Sequence, residues 1–121
     1  MDKLHIVHAV EGDLDTLLTF SQEYYTGERY PFNRTRAAAA FRELLVDNRY
    51  GVALLAQRMG TALGYGVLTF GYSIEYHGID AFIDELYVQP GYRGQGIGTA
   101  IIDVMIEISR QRNVQALHLE V

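Results

Sequence analysis

The chemistry legible in this chain is concentrated in one stretch, Asp84-Glu85-Leu86-Tyr87-Val88-Gln89-Pro90-Gly91-Tyr92-Arg93-Gly94-Gln95-Gly96-Ile97-Gly98-Thr99. An apolar strand runs into a turn with glycines at 94, 96 and 98, and a helix begins where the glycines end. Without Cβ atoms the backbone there can come close to a ligand. The first N–H groups of a helix have no partner within it, and the positive end of the helix dipole adds to their pull, so together they hold an anion. A diphosphate is the natural occupant.

The elements that must position these residues follow from periodicity and breakers. Residues 3–10 alternate, with Leu4, Ile6, His8 and Val10 on one face, as a half-buried strand does. Asp13 is the expected N-cap of a helix reaching about Tyr25, with Leu14, Leu17, Leu18, Ser21 and Tyr25 at helical spacing. Residues 26–32 form a loop, and Asn33 caps a second helix striped by Ala37, Phe41, Leu44, Leu45 and Asn48. Strands are expected at 52–57 and 62–71, joined by a hairpin turn at Arg58-Met59-Gly60-Thr61. The polar, aromatic segment 72–78 reads as a looser connection. The mostly apolar strand 79–88 reads as buried on both faces. The final helix buries Ile97, Ile101, Val104, Met105 and Ile108 and ends at Asn113, and 115–121 alternates as a last strand. The order is β-α-α-β-β-β-α-β, with a parallel pair across the last helix through a right-handed crossover.

Composition narrows the function classes. The 121 residues make one domain, and 49% apolar with 21% charged residues is ordinary for a globular protein. The absence of cysteine rules out disulfides and thiolate metal sites and suits a reducing cytoplasm. No apolar run is long enough to cross a membrane or to make a signal peptide. A net charge of -5 disfavours nucleic acid and mildly suits a cationic substrate. His5, His8, His77 and His118 are scattered without ligand spacing, so no metal site is expected. The run of alanines at 37–40 reads as a close-packing helical stretch with no function. Of the tyrosines, Tyr24, Tyr25, Tyr30, Tyr72 and Tyr76 read mostly as half-buried surface aromatics.

On the residues alone the glycine turn has three readings: a connection without a ligand, a diphosphate seat, or a dinucleotide site with Glu120 as the ribose-binding acid. The spacing Gly94-x-Gly96-x-x-Thr99 lacks the third glycine or alanine of the dinucleotide fingerprint. No Gly-Lys-Ser/Thr follows, which excludes a Walker-type loop.

Arg93, Gly96 and Gly98, preceded by the strand ending in Leu86-Tyr87-Val88, resemble the acetyl-CoA-binding signature R/Q-x-x-G-x-G/A of the GNAT N-acetyltransferase superfamily. The element order is similar to the first two-thirds of that fold, a mixed α+β architecture with helices on both faces of a central mixed sheet. The resemblance implies that the backbone amides of Gly94, Gln95, Gly96, Ile97, Gly98 and Thr99, with Arg93, hold the CoA diphosphate. Leu86, Tyr87 and Val88 would pair with the pantetheine arm as an added strand does, in the cleft where their strand parts from 115–121. It also implies a bulge whose N–H meets the thioester carbonyl, a donor typically worth about 3 kcal/mol.

The implied reaction is direct attack of a primary amine on acetyl-CoA, with a carboxylate as base. Glu85 ranks first, Glu120 second, and Asp84 matches a glutamate position of similar polyamine acetyltransferases. The acceptor is a small-molecule or peptide amine, leaning to a polyamine or an amino sugar, contacted by 24–32 and 72–78. The alternative functions are a non-catalytic acyl-CoA-binding module and, more remotely, a nicotinamide-dinucleotide-binding domain. Relative to the family, the chain ends before a further helix and hairpin. No tyrosine maps onto the family's thiolate-protonating position. The bare edge of the last strand is expected to be covered by sequence beyond Val121 or, failing that, by a second copy in a homodimer.

Overall fold

The computed structural model describes residues 3–119, so Glu120 lies outside the described residues. The elements are β1 (Leu4–His8), α1 (Leu14–Gly27), α2 (Arg34–Val46), β2 (Gly51–Arg58), β3 (Thr61–Ser73), β4 (Gly78–Val88), α3 (Ile97–Gln111) and β5 (Ala116–Leu119). They form one sheet in the order β1-β2-β3-β4-β5. The first three pairings are antiparallel and β4–β5 is parallel. This is the mixed α+β architecture and element order expected from the sequence.

Local chemistry sets most boundaries. The Asn33 side chain accepts from the Arg36 N–H at 3.0 Å and starts α2. Met59 and Gly60, at φ 53° and 74°, make the two-residue turn whose twist matches the flanking strands. Helix α3 ends with Asn113 at φ 57°, the Asn113 N–H on the Arg110 carbonyl and the Val114 N–H on the Ser109 carbonyl. That is a left-handed C-terminal cap in which asparagine stands in for glycine. Asp13 departs from expectation. It closes a short 3-10 turn, Glu11–Asp13, by accepting from the Val10 N–H at 2.8 Å, and makes no side-chain bond to the first turn of α1.

Two cores sandwich the sheet. Leu54, Leu68, Ala81 and Ile83 pack on one face against Ile101 and Met105 of α3. On the other face Leu55, Tyr65, Val67 and Tyr87 meet Leu17 and Phe20 of α1 and Phe41 of α2. Strand β2 is buried along residues 51–56. Strand β4, expected to be buried on both faces, is not: Ile79 and Phe82 remain 39% and 42% exposed.

One irregularity matters for function. Val67 pairs with Glu85 and Leu68 with Ile83, so Asp84 is an extra residue, a bulge in β4. A regular strand would send Asp84 and Glu85 to opposite faces. The bulge turns both toward α1 and α2, and the usual alternation resumes with Leu86 toward α3 and Tyr87 toward α1.

Candidate active site

The start of α3 leaves its first N–H groups bare, as an anion seat requires. Gly94 and Gly96 sit at φ 78° and 81°, the left-handed region that glycine enters without the Cβ clash. No side chain caps the helix and its first turn holds no acidic residue. The Ala100 N–H reaches the Gly96 carbonyl at 3.0 Å, which leaves the N–H groups of Ile97, Gly98 and Thr99 ahead of the first internal bond. Gly98 differs from the other two. A Cβ there would meet nothing nearer than Val88 Cγ2 at 3.9 Å, and its backbone is helical, so the fold does not itself require glycine.

Arg93 is held at the edge of this seat. Its Nε donates to the Val88 carbonyl at 2.8 Å, and its guanidinium lies 5.6 Å from the centre of the Tyr87 ring. Tyr87 in turn donates to Glu23 Oε1 at 2.7 Å. Burial, with Glu23 beside it, pushes the Tyr87 phenol up to about 12.

A groove of ≈ 500 Å³ runs past this seat, walled by Leu86, Tyr87, Val88, Arg93, Gly94, Gly96, Ile97, Gly98 and Thr99 together with Tyr24, Glu28 and Tyr92. Gln95 is not on its wall: its side chain accepts from Arg58 at 3.3 Å, at the far end of β2. Tyr24, Glu28 and Leu86 also border a second depression of ≈ 550 Å³ with Phe82, Ile83 and Leu119. Thr69 and Asp84 join that depression to a third space of ≈ 270 Å³, which holds Glu85. The path thus leads from the anion seat along β4 to the paired carboxylates. β5 pairs with β4 only along residues 80–83, so among the described residues no strand lies beside 84–88 on that side.

Glu85 is half-buried at the bulge and accepts two phenolic hydrogen bonds, from Tyr25 at 2.8 Å and from Tyr65 at 2.7 Å. Loss of hydration raises its pKa above the usual carboxylate range, and the charge of Asp84 adds to that rise. The two phenols and the Ser21 hydroxyl pull the other way. Both tyrosines are themselves pushed up, by burial first and by Glu85 next, so they act as donors. A carboxylate of raised basicity, fixed by two donors, is suited to accept a proton from a substrate near neutrality. Among the described residues no group of three or more histidines and carboxylates could hold a metal ion. Among the described residues no helix is long and apolar enough to cross a membrane.

Residues 14–121 match the Acetyltransferase (GNAT) family. The chain belongs to that family. Over 59 residues it is 39% identical to a thialysine N-epsilon-acetyltransferase of Bos taurus, a segment making up 49% of this chain and 34% of the relative, so the match spans about a third of that protein. An integron cassette protein from the mobile metagenome of Cole Harbour Salt Marsh superposes with a TM-score of 0.91 at 31% identity, covering 96% of this chain and 76% of the other. A predicted acetyltransferase from Clostridium acetobutylicum, solved with acetyl-CoA, shares the fold at a TM-score of 0.86 and 19% identity, over 98% and 81% of the two chains.

For this GNAT domain the structure brings together Glu85 and Asp84 at the bulge, and nine of the ten expected coenzyme contacts on one groove. Residues 24–28 reach these spaces, but none of 72–78 lines them. That segment is instead the outer end of the β3–β4 hairpin, where Tyr72 and Ile74 face outward and Tyr76 packs edge-on to His118. Sequence reasoning missed Tyr65, a residue 0% exposed within a strand that reads as core. Its signal was the hydroxyl itself, since a buried tyrosine needs a partner. It also missed Ala37 and Ala40, which wall the carboxylate pocket.

The two phenols give a testable consequence. Tyr25→Phe removes one donor that favours ionised Glu85, so its pKa rises further. The acidic limb of a kcat/KM profile then moves to higher pH. A limb that stays put or moves down contradicts the arrangement.

Proposed function

We propose that this chain is an N-acetyltransferase that moves the acetyl group of acetyl-CoA to a primary amine by direct attack. The observation that carries the reading is the uncapped, acid-free first turn of α3 at one end of a continuous path and Glu85 at the other. Family membership supports the reaction class, and the acetyl-CoA complex of the Clostridium acetobutylicum relative supports the co-substrate.

In this reading the amides of Gly94, Gly96, Ile97, Gly98 and Thr99, the five on the groove wall, hold the diphosphate with Arg93, and the free side of Leu86, Tyr87 and Val88 guides the pantetheine arm. The amine arrives as an ammonium ion. Glu85 removes its proton, directly or through a water, and the freed nitrogen lone pair forms the C–N bond as the C–S bond breaks. A bulge N–H donates to the carbonyl oxygen as charge gathers there. Glu120 stays the second candidate base, outside the described residues. Acetyl-CoA brings the activated acyl group, and CoA leaves as a thiolate that takes up the proton shed by the newly acylated nitrogen, giving amide and thiol.

Thermal denaturation with acetyl-CoA, CoA and NADH, paired with free-thiol detection, tests this reading. The chain contains no cysteine to contribute background. Acetyl-CoA and CoA are expected to raise Tm and an amine to release thiol. Stabilisation by NADH and not by CoA would overturn the reading. Acetyl-CoA binding with no thiol release from any amine would leave an acyl-CoA-binding module.

A further inference from the structure

The pocket beyond the bulge has a composition that selects its guest. It is walled by Ala37, Ala40, Phe41 and Leu44 of α2 and Val67 of β3, with Asp84 and Glu85 together on β4. The four α2 residues fall at i, i+3, i+4 and i+7, so they share one helix face. The two alanines are short enough to keep a slot open between α2 and the sheet. Ala40 is exposed, which puts the mouth on its side, while Phe41 is buried behind it. At ≈ 270 Å³ the space lies just under the ~300–1,000 Å³ of drug-sized ligand sites.

Such walls offer dispersion and desolvation to hydrocarbon and nothing to hydroxyls. The charge in the lining comes from Asp84 and Glu85, with Tyr25 donating to Glu85, and suits a cationic head. We infer that the acceptor is a slim primary alkylammonium, an unbranched hydrocarbon stem lying between α2 and β3 with its nitrogen on the Asp84–Glu85 pair, and not a polyhydroxylated amino sugar. This deepens the acetyl-transfer reading and rests on it. Each sugar hydroxyl pressed against Ala37, Phe41, Leu44 or Val67 would lose its water without gaining a partner, a loss of about tenfold in binding apiece. The net charge of -5 favours a cationic guest of either kind, so the choice between them rests on the apolar walls.

The test uses n-pentylamine, L-lysine and glucosamine as acceptors with saturating acetyl-CoA, on the parent and on Ala40→Leu. Leucine is a good helix former at an exposed helical site, so the variant is expected to fold and to keep its acetyl-CoA-induced Tm shift. The parent should turn over pentylamine and lysine with kcat/KM at least about 100-fold above glucosamine, two unpaired hydroxyls' worth. Ala40→Leu should raise KM for pentylamine by about tenfold or more, with kcat little changed, since one misfitted methylene group is worth about 10–200-fold. Glucosamine matching pentylamine, or an Ala40→Leu variant with an unmoved KM, would overturn the inference alone. So would intact acetyl-CoA binding with neither turnover nor stabilisation by pentylamine. Failure of the parent to bind acetyl-CoA would overturn the acetyl-transfer reading itself.

Discussion

Glu85→Gln is expected to lower kcat/KM near neutral pH by about 10²–10⁴-fold, the range that a positioned general base contributes, with acetyl-CoA affinity at the parent value. Glutamine keeps the shape of the side chain and can still accept from Tyr65, with the Tyr25 hydroxyl turned to accept from the amide. The loss is therefore chemical and not structural. Stability checks that distinction. Because the Glu85 pKa is raised in the folded protein, folding favours the protonated form. The stability that comes with that proton is complete below the ordinary glutamate range and is lost as pH rises through the raised value. The glutamine variant has no such loss. It should match or exceed the parent in Tm at neutral pH, with the gap closing on acidification. A variant that melts lower than the parent at neutral pH, or that keeps full activity, would remove Glu85 from the role of base.

The second large effect lies at the glycines of the α3 entrance, where three substitutions at two glycines should give three different responses. Gly98→Ala has room, 3.9 Å from Val88, and a helical backbone, so it should fold as well as the parent or gain up to about 1 kcal/mol. Gly98→Leu should also fold, but its branched side chain lies over the N–H groups of the first turn. Losing two charge-assisted bonds of about 1.5–3 kcal/mol each weakens CoA binding by roughly 100-fold or more. Gly96→Ala fails differently. At φ 81° an L side chain costs about 1–2 kcal/mol, so stability falls before binding is even measured. Calorimetric Kd values and melting curves on the three variants separate these outcomes. Equal affinity for CoA in Gly98→Leu and the parent would mean that the diphosphate is held elsewhere.

These contrasts show what a sequence can and cannot carry. The bare first turn of α3 was legible because its causes are local: left-handed glycines, a helix start without a cap, and a strand leading into them. The order of elements was legible for the same reason, since caps and turns such as Asn33 and Met59-Gly60 act within four residues. The alliance of Asp84 with Glu85 was legible only in part: the family resemblance implied a bulge there, but which side chains it turns together is set by where β3 places Val67 and Leu68. Tyr65 lies 20 residues from Glu85 and Tyr25 lies 60, so the clamp on the carboxylate exists only after the sheet and α1 have packed. Ala37 and Ala40 acquire meaning only from the carboxylates across the slot. Burial of β4 on both faces was an overreach of composition: an apolar run does not say where covering helices stop, and Phe82 remains 42% exposed.

The most direct test of the whole account is an amide ¹H–¹⁵N titration of the protein with acetyl-CoA. The account predicts that the resonances of Gly94, Gly96, Ile97, Gly98 and Thr99 shift together and saturate, and that inorganic pyrophosphate at higher concentration moves the same amides. Saturation by acetyl-CoA with those five resonances unmoved would contradict it.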